Sequence, residues 1–222
     1  MLRWLPENVS TFGQGVDDLF RLIYWITLVV FVAVIATMIV FLVKYRYQAG
    51  RKAEYIEGST KLEIVWTAAT TVIVFGLAML SFPQWSKIKF PSEFPTNPDV
   101  VVQVKGKQFN WYMLYPGPDG EFGSEDDVEI ENQLHVPVNK VVHIRLTSED
   151  VIHSFFVPQL RLKQDALPQR FINVWFEATK PGTYEIPCAE LCGFGHSGML
   201  GYLTVHTDED YANWVNQRWS PQ

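Results

Sequence analysis

Two uncharged apolar runs, Leu22–Val43 and Ile64–Phe82, constrain this chain more than any other feature of it. The first has 22 residues and the second 19; at about 1.5 Å per residue both suit a hydrocarbon core roughly 30 Å thick. Charges gather only at their ends, so two transmembrane helices are expected, over about residues 19–45 and 62–83. A cleavable leader fits the first run poorly. Eighteen mostly polar residues precede Leu19, the stretch exceeds a signal core, and Lys44-Tyr45-Arg46 follows it as a stop-transfer flank. The mean hydropathy of +0.02 is thus an average over two unlike halves.

Charge orients the hairpin. The connecting loop carries Lys44, Arg46, Arg51, Lys52 and Lys61 against Glu54 and Glu57, while the N-terminal flank has Arg3 and Arg21 against Glu7, Asp17 and Asp18. The positive-inside rule puts the loop in the cytoplasm and both termini on the outer face, in a bacterial inner membrane the periplasmic one. From Gln84 to Gln222 there are 11 Lys+Arg and 18 Asp+Glu, a net of −7. Such a domain repels a phosphate backbone, so no nucleic acid is expected as a partner and a basic protein is favoured.

The expected division is an N-terminal segment plus hairpin, 1–90, and an outer domain, 91–222. Pro91, Pro95 and Pro98 make the connector stiff and non-helical. Beyond it Val100–Val104, Val141–Leu146, Phe171–Phe176 and Leu200–Val205 are β-branched or alternating runs between Gly, Pro, Asn and Asp turns. With helical periodicity only at Asp208–Trp219, the domain reads as an all-β sandwich or Greek-key barrel closed by a short helix.

The only cysteines, Cys188 and Cys192, lie in Cys188-Ala189-Glu190-Leu191-Cys192-Gly193-Phe194-Gly195-His196-Ser197-Gly198-Met199. Outside a membrane, two cysteines this close leave a disulfide open. Their company points elsewhere. Cys, His and Met in one Gly-rich loop, joined by a His from an earlier strand, form a copper ligand set in which soft sulfur selects the metal and imidazole completes the plane. The distant histidine is expected to be His153, in Ser148-Glu149-Asp150-Val151-Ile152-His153-Ser154-Phe155. A mononuclear site needs one thiolate; a second can bridge two copper ions.

In these motifs the chain resembles subunit II of cytochrome c oxidase, over nearly its whole length. The resemblance implies a two-helix hairpin followed by a cupredoxin-like Greek-key barrel that carries the dinuclear copper centre CuA. Cys188 and Cys192 would bridge the coppers, His153 and His196 would be terminal ligands, and Met199 and the Glu190 carbonyl axial ones. The Glu190 carboxylate would reach toward magnesium at the interface with subunit I. Electrons would come from a c-type cytochrome, and oxygen chemistry with its proton pumping would belong to the haems and copper of the partner subunit.

Several neighbours carry both a functional and a plain reading. Gly106-Lys107-Gln108-Phe109-Asn110-Trp111-Tyr112 stands where the family shows an electron-entry aromatic cluster; Phe109 replaces its first Trp, Lys107 a His and Asn110 an aromatic, while Trp111 agrees. Phe109 is expected at the surface; Trp111 and Tyr112 serve equally as strand packing. The altered cluster leaves room for a membrane-tethered donor or a supercomplex. Glu63, three residues before Trp66, matches the entrance of the family's K-channel for protons, and Thr70 stands where the family has Pro. Asp165 and Arg161 suit either the subunit I and magnesium region or a local salt bridge. The segment Asp119–Glu131 holds seven carboxylates and stays open between a solvated hairpin tip, a landing site for a basic cytochrome and a calcium loop. His135, His143 and His206 have no ligand partners at sequence spacing and are expected to be ordinary strand or surface residues.

Three functions compete: electron entry to a proton-pumping oxidase, the matching subunit of a copper-containing nitric oxide reductase, and a copper carrier. A buried, fully ligated centre suits a carrier poorly, because its metal must leave. The topology is directly testable. With Cys188 and Cys192 changed to Ser, Asp119→Cys in sealed right-side-out membranes is expected to react with an impermeant maleimide and Lys52→Cys only after detergent; the reverse pattern contradicts the orientation.

Overall fold

A computed structural model describes residues 5–219, so Arg3 of the charge count lies outside the described residues. Three α-helices and ten strands follow in chain order: α1 (Gly13–Lys44), α2 (Thr60–Lys89), β1 (Val100–Lys107), β2 (Asn110–Tyr115), β3 (Val128–Glu131), β4 (Gln133–Pro137), β5 (Val141–Ser148), β6 (His153–Val157), β7 (Leu162–Ala166), β8 (Ile172–Glu177), β9 (Gly182–Pro187), β10 (Leu200–His206) and α3 (Asp208–Trp219). They form two compact units: Gly15–Trp85, and Ser86 onward together with the N-terminal residues up to Gln14.

In the first unit the apolar windows of α1 and α2 are 0% buried, so their Val, Ile, Leu and Phe side chains are presented outward. In water that surface would be unfavourable at about 25 cal/mol per Å²; in lipid it is the matching solvent. Ser59 starts α2 by accepting the Leu62 N–H at its hydroxyl and the Glu63 N–H at its carbonyl. Thr70 keeps its N–H and also donates its hydroxyl to the Trp66 carbonyl at 2.9 Å. The helix does not stop at Pro83 but continues to Lys89.

In the second unit that last turn is docked: Ile88 is buried, the Lys87 carbonyl accepts from the Trp175 indole at 3.0 Å, and Lys89 Nζ donates to the Lys163 carbonyl at 2.7 Å. These contacts hold the helix beyond a residue that costs about 3 kcal/mol in a helix interior. The N-terminal segment joins the same unit. Val9 donates to the Gln159 carbonyl at 2.9 Å, Thr179 donates to the Val9 carbonyl at 2.8 Å, and Ser10 bridges Ala178. Phe12, 3% exposed, meets Trp175 edge-on at 5.4 Å. A strand-like strap therefore ties the N-terminal segment to the globular domain.

The domain stacks a five-stranded sheet, β3-β2-β1-β5-β8, with a three-stranded sheet, β4-β10-β9, and the ribbon β6-β7. β1 pairs parallel with β5 and β10 parallel with β4, the other neighbours being antiparallel. Period-two alternation sends Val102, Val104, Trp111, Met113, Ile144, Leu146, Leu203 and Val205 inward. This is the cupredoxin-like barrel expected from the sequence, with every expected strand present and β2, β3, β4, β6, β7 and β9 added.

Strand pairing also joins two histidines that sequence spacing kept apart. His135 on β4 and His206 on β10 meet Nδ1 to Nε2 at 2.9 Å, and Trp214 of α3 stacks on His135 with centroids 4.9 Å apart. Burial, with His206 and Arg218 nearby, lowers the His135 pKa from 6.5 to about 4. Between those values the unfolded chain binds a proton that the folded one refuses, so this contribution to stability is present above about pH 6.5 and lost as pH falls toward 4. The unfolding temperature of the wild type is expected to drop more steeply across that window than that of His135→Gln; parallel curves contradict it.

Candidate metal centre

The loop from Cys188 to Met199 is closed at its base, the Cys188 N–H donating to the Met199 carbonyl at 3.0 Å, where β9 ends and β10 begins. It is also stitched to β6. Phe155 bridges Cys188, and the Ala189 N–H donates to the Ser154 carbonyl at 3.0 Å. His153, the first residue of β6, is thereby set beside Cys188, 35 positions away. A short turn of 3-10 helix, His196–Gly198, bends the far side of the loop back so that Met199 points inward, 2% exposed.

The side chains converge. His153 Nδ1 is 3.9 Å from Cys188 Sγ, the two sulfurs are 3.9 Å apart, His196 Nδ1 is 3.5 Å from Cys192 Sγ, and Met199 Sδ is 3.8 Å from the same sulfur. The Glu190 carbonyl lies 3.3 Å from Cys188 Sγ. Both cysteines are free, and their separation is well beyond the roughly 2.05 Å of an S–S bond. Among the described residues, His153, Cys188 and Cys192 form the one group of three or more His, Cys, Asp or Glu ligands close enough to share an ion, their donor atoms within 4.8 Å of one another. Two thiolates, two imidazoles, a thioether and a carbonyl are a soft, sulfur-rich donor set, and copper fits it.

The surrounding residues prepare the donors. Asp150 Oδ1 accepts from His153 Nε2 at 2.8 Å, which orients the ring so that Nδ1 is the atom turned toward the sulfurs. Burial pushes the Asp150 carboxyl up, but hydrogen bonds from the Gln108 N–H, His153 and the Val151 N–H outweigh it and leave its pKa below the ordinary value. Burial, with the Cys188 sulfur beside it, lifts the free Cys192 thiol to about 11. Gly106 is required by contact: a Cβ there would lie 2.9 Å from the His153 ring.

The other sequence-expected residues divide. Phe109 is half-buried at the loop surface, so close to Gly195 that a Cβ on the glycine would meet its ring at 2.5 Å. Trp111 is fully buried, its ring edge-on to His153 at 6.0 Å and to Phe155 at 5.6 Å, behind the site and away from solvent. Tyr112 faces the opposite side of β2, under the Lys105 ammonium at 5.7 Å. Glu190 is exposed, as is Asp165, which accepts from Ser154 Oγ at 2.7 Å; Arg161 donates to the Pro158 and Pro6 carbonyls. Within Asp119–Glu131, Asp119 and Asp127 cap backbone N–H groups of their own turn, and the segment contributes to no candidate metal group among the described residues. Glu63 is exposed in the first turn of α2. Sequence reading assigned no role to Asp150 or Gln108; for Asp150, a carboxylate three residues before a candidate ligand was the available signal.

Comparison with known proteins places these features in company. The family described as cytochrome C oxidase subunit II, transmembrane domain, matches residues 3–84, and cytochrome C oxidase subunit II, periplasmic domain, matches residues 97–205. Cytochrome c oxidase subunit 2 of Thermostichus vulcanus is 32% identical over 96% of this chain and 78% of its own length. An alternative cytochrome c oxidase subunit 2 of Bradyrhizobium diazoefficiens is also 32% identical, over 97% and 83%. The crystal structure of the periplasmic domain of subunit II of cytochrome oxidase of Bradyrhizobium japonicum is 33% identical, with a TM-score of 0.50 over 56% of this chain and 96% of that one.

Proposed function

The chain belongs to the cytochrome c oxidase subunit II family, and from that premise we propose that it receives electrons singly from a c-type cytochrome at a dinuclear copper centre and delivers them to subunit I of a haem-copper oxidase. The observation that carries this reading is the pair of facing cysteine sulfurs, with one imidazole beside each. A bound copper pair supplies a one-electron carrier whose charge is shared over two metals. Cys188, Cys192, His153 and His196 would hold it, with Met199 and the Glu190 carbonyl as weaker donors. The chain's own task is to keep those donors still, so that gaining or losing an electron moves little.

Phe109, at the loop surface, is the proposed entry point, with Trp111 stiffening His153 from behind. The net −7 of the outer domain suits a basic donor, membrane-tethered or free. The exposed Glu190 carboxylate is the proposed magnesium contact at the subunit I interface. Glu63 is the proposed cytoplasmic entrance of a proton path serving the pump. Oxygen reduction takes place at the haems and copper of the partner subunit.

The test is rapid mixing of the assembled oxidase with reduced cytochrome c. In the wild type the copper chromophore is expected to be reduced before the haems. In Cys192→Ser haem reduction by the cytochrome should slow by roughly 100-fold or more, equivalent to about 2.7 kcal/mol on a barrier. Equal haem reduction in the two proteins contradicts the assignment.

A further inference from the structure

The metal loop is held from outside as well as from its base. The turn between β1 and β2 folds over it, and Gln108 in that turn makes two bonds to two different parts of the site. Its side-chain Nε2 donates to the Cys192 carbonyl at 2.5 Å. Its backbone N–H donates to Asp150 Oδ2 at 2.8 Å, the carboxylate whose other oxygen holds His153 Nε2 at 2.8 Å. One residue thus touches the loop bearing Cys192 and the arm bearing His153. The Phe109 ring next to it fills the space above Gly195, and a Cβ on Gly193 would approach Gln108 Nε2 to 2.6 Å. The turn and the glycines of the loop are in close contact, with no space between them for a side chain at 193 or 195.

We propose that Gln108 is a positioning residue for the copper centre, a clasp whose amide fixes the Cys192 half of the site relative to the His153 half. This rests on the copper reading of the site. Its chemistry is specific to glutamine. The Cys192 carbonyl needs a donor, which Glu at 108 does not offer in its ionised form, and Asn is one methylene shorter. A leucine keeps the bulk and loses the bond. The backbone N–H to Asp150 is retained by all of these, so side-chain substitutions isolate the Cys192 half of the clasp. The ligands are then set by protein contacts before metal arrives, the condition under which an electron carrier keeps one geometry in both redox states.

The experiment uses the full chain, copper-loaded in detergent, with wild type, Gln108→Leu and Gln108→Glu compared. Copper affinity, measured by competition with a Cu(I) chelator, is expected to fall about 10–100-fold in both variants. The EPR hyperfine pattern should change with it, while the unfolding temperature of the copper-free chain stays near that of the wild type. Affinity and spectrum identical to wild type overturn the clasp, as does a lowered unfolding temperature with an unchanged spectrum, which marks a merely structural contact. A wild-type chain that itself holds no copper pair overturns the parent reading as well, so the two failures are distinguishable.

Discussion

Everything distinctive in this molecule depends on one closure: a loop whose first and last residues, Cys188 and Met199, are hydrogen-bonded across the gap between β9 and β10. Without that bond the sulfurs of Cys188, Cys192 and Met199 belong to a glycine-rich segment with many conformations. With it, and with the stitches from Phe155 and Ser154 of β6, they face a common centre. Ordering the loop costs backbone entropy of about 1–2 kcal/mol per residue, and the sheets on either side offset that cost through their own pairing. The cupredoxin-like barrel is therefore a frame for the loop, and the buried apolar residues of β1, β2, β5 and β10 serve the site by keeping the frame rigid.

The same logic extends outward. A carboxylate orients His153, Gly106 lets that ring lie against β1, and Trp111 backs it with an edge contact. The strap around Val9 and Phe12 and the last turn of α2 pack onto the domain itself.

The residues that converge at the candidate centre were legible because five of the six share one short loop, where spacing alone is informative, and His153 was reached through its own motif. The transmembrane runs were legible because a bilayer imposes length and apolarity together. What escaped notice depended on tertiary contact. His135 and His206 are 71 positions apart and meet only because β4 and β10 pair in parallel. The continuation of α2 past Pro83 is enforced by Trp175 and Lys163, which no helix rule sees. Gln108 has the character of an ordinary polar turn residue in the sequence, and only the fold lays its turn on the loop. The burial of Trp111 had a signal in the alternation of β2, where Trp111, Met113 and Tyr115 take one face and Tyr112 and Leu114 the other.

The function proposed for this chain stands or falls on Cys188 and Cys192 together holding a pair of coppers. The full chain is the right material, since Val9 and Phe12 pack into the domain and a fragment beginning after the hairpin would lack them. Metal counted per chain alongside the EPR spectrum of the copper-loaded protein is the most direct measurement. Two coppers with a seven-line mixed-valence pattern, lost in Cys188→Ser, is the predicted result; one copper, or none with a Cys188–Cys192 disulfide, would contradict it.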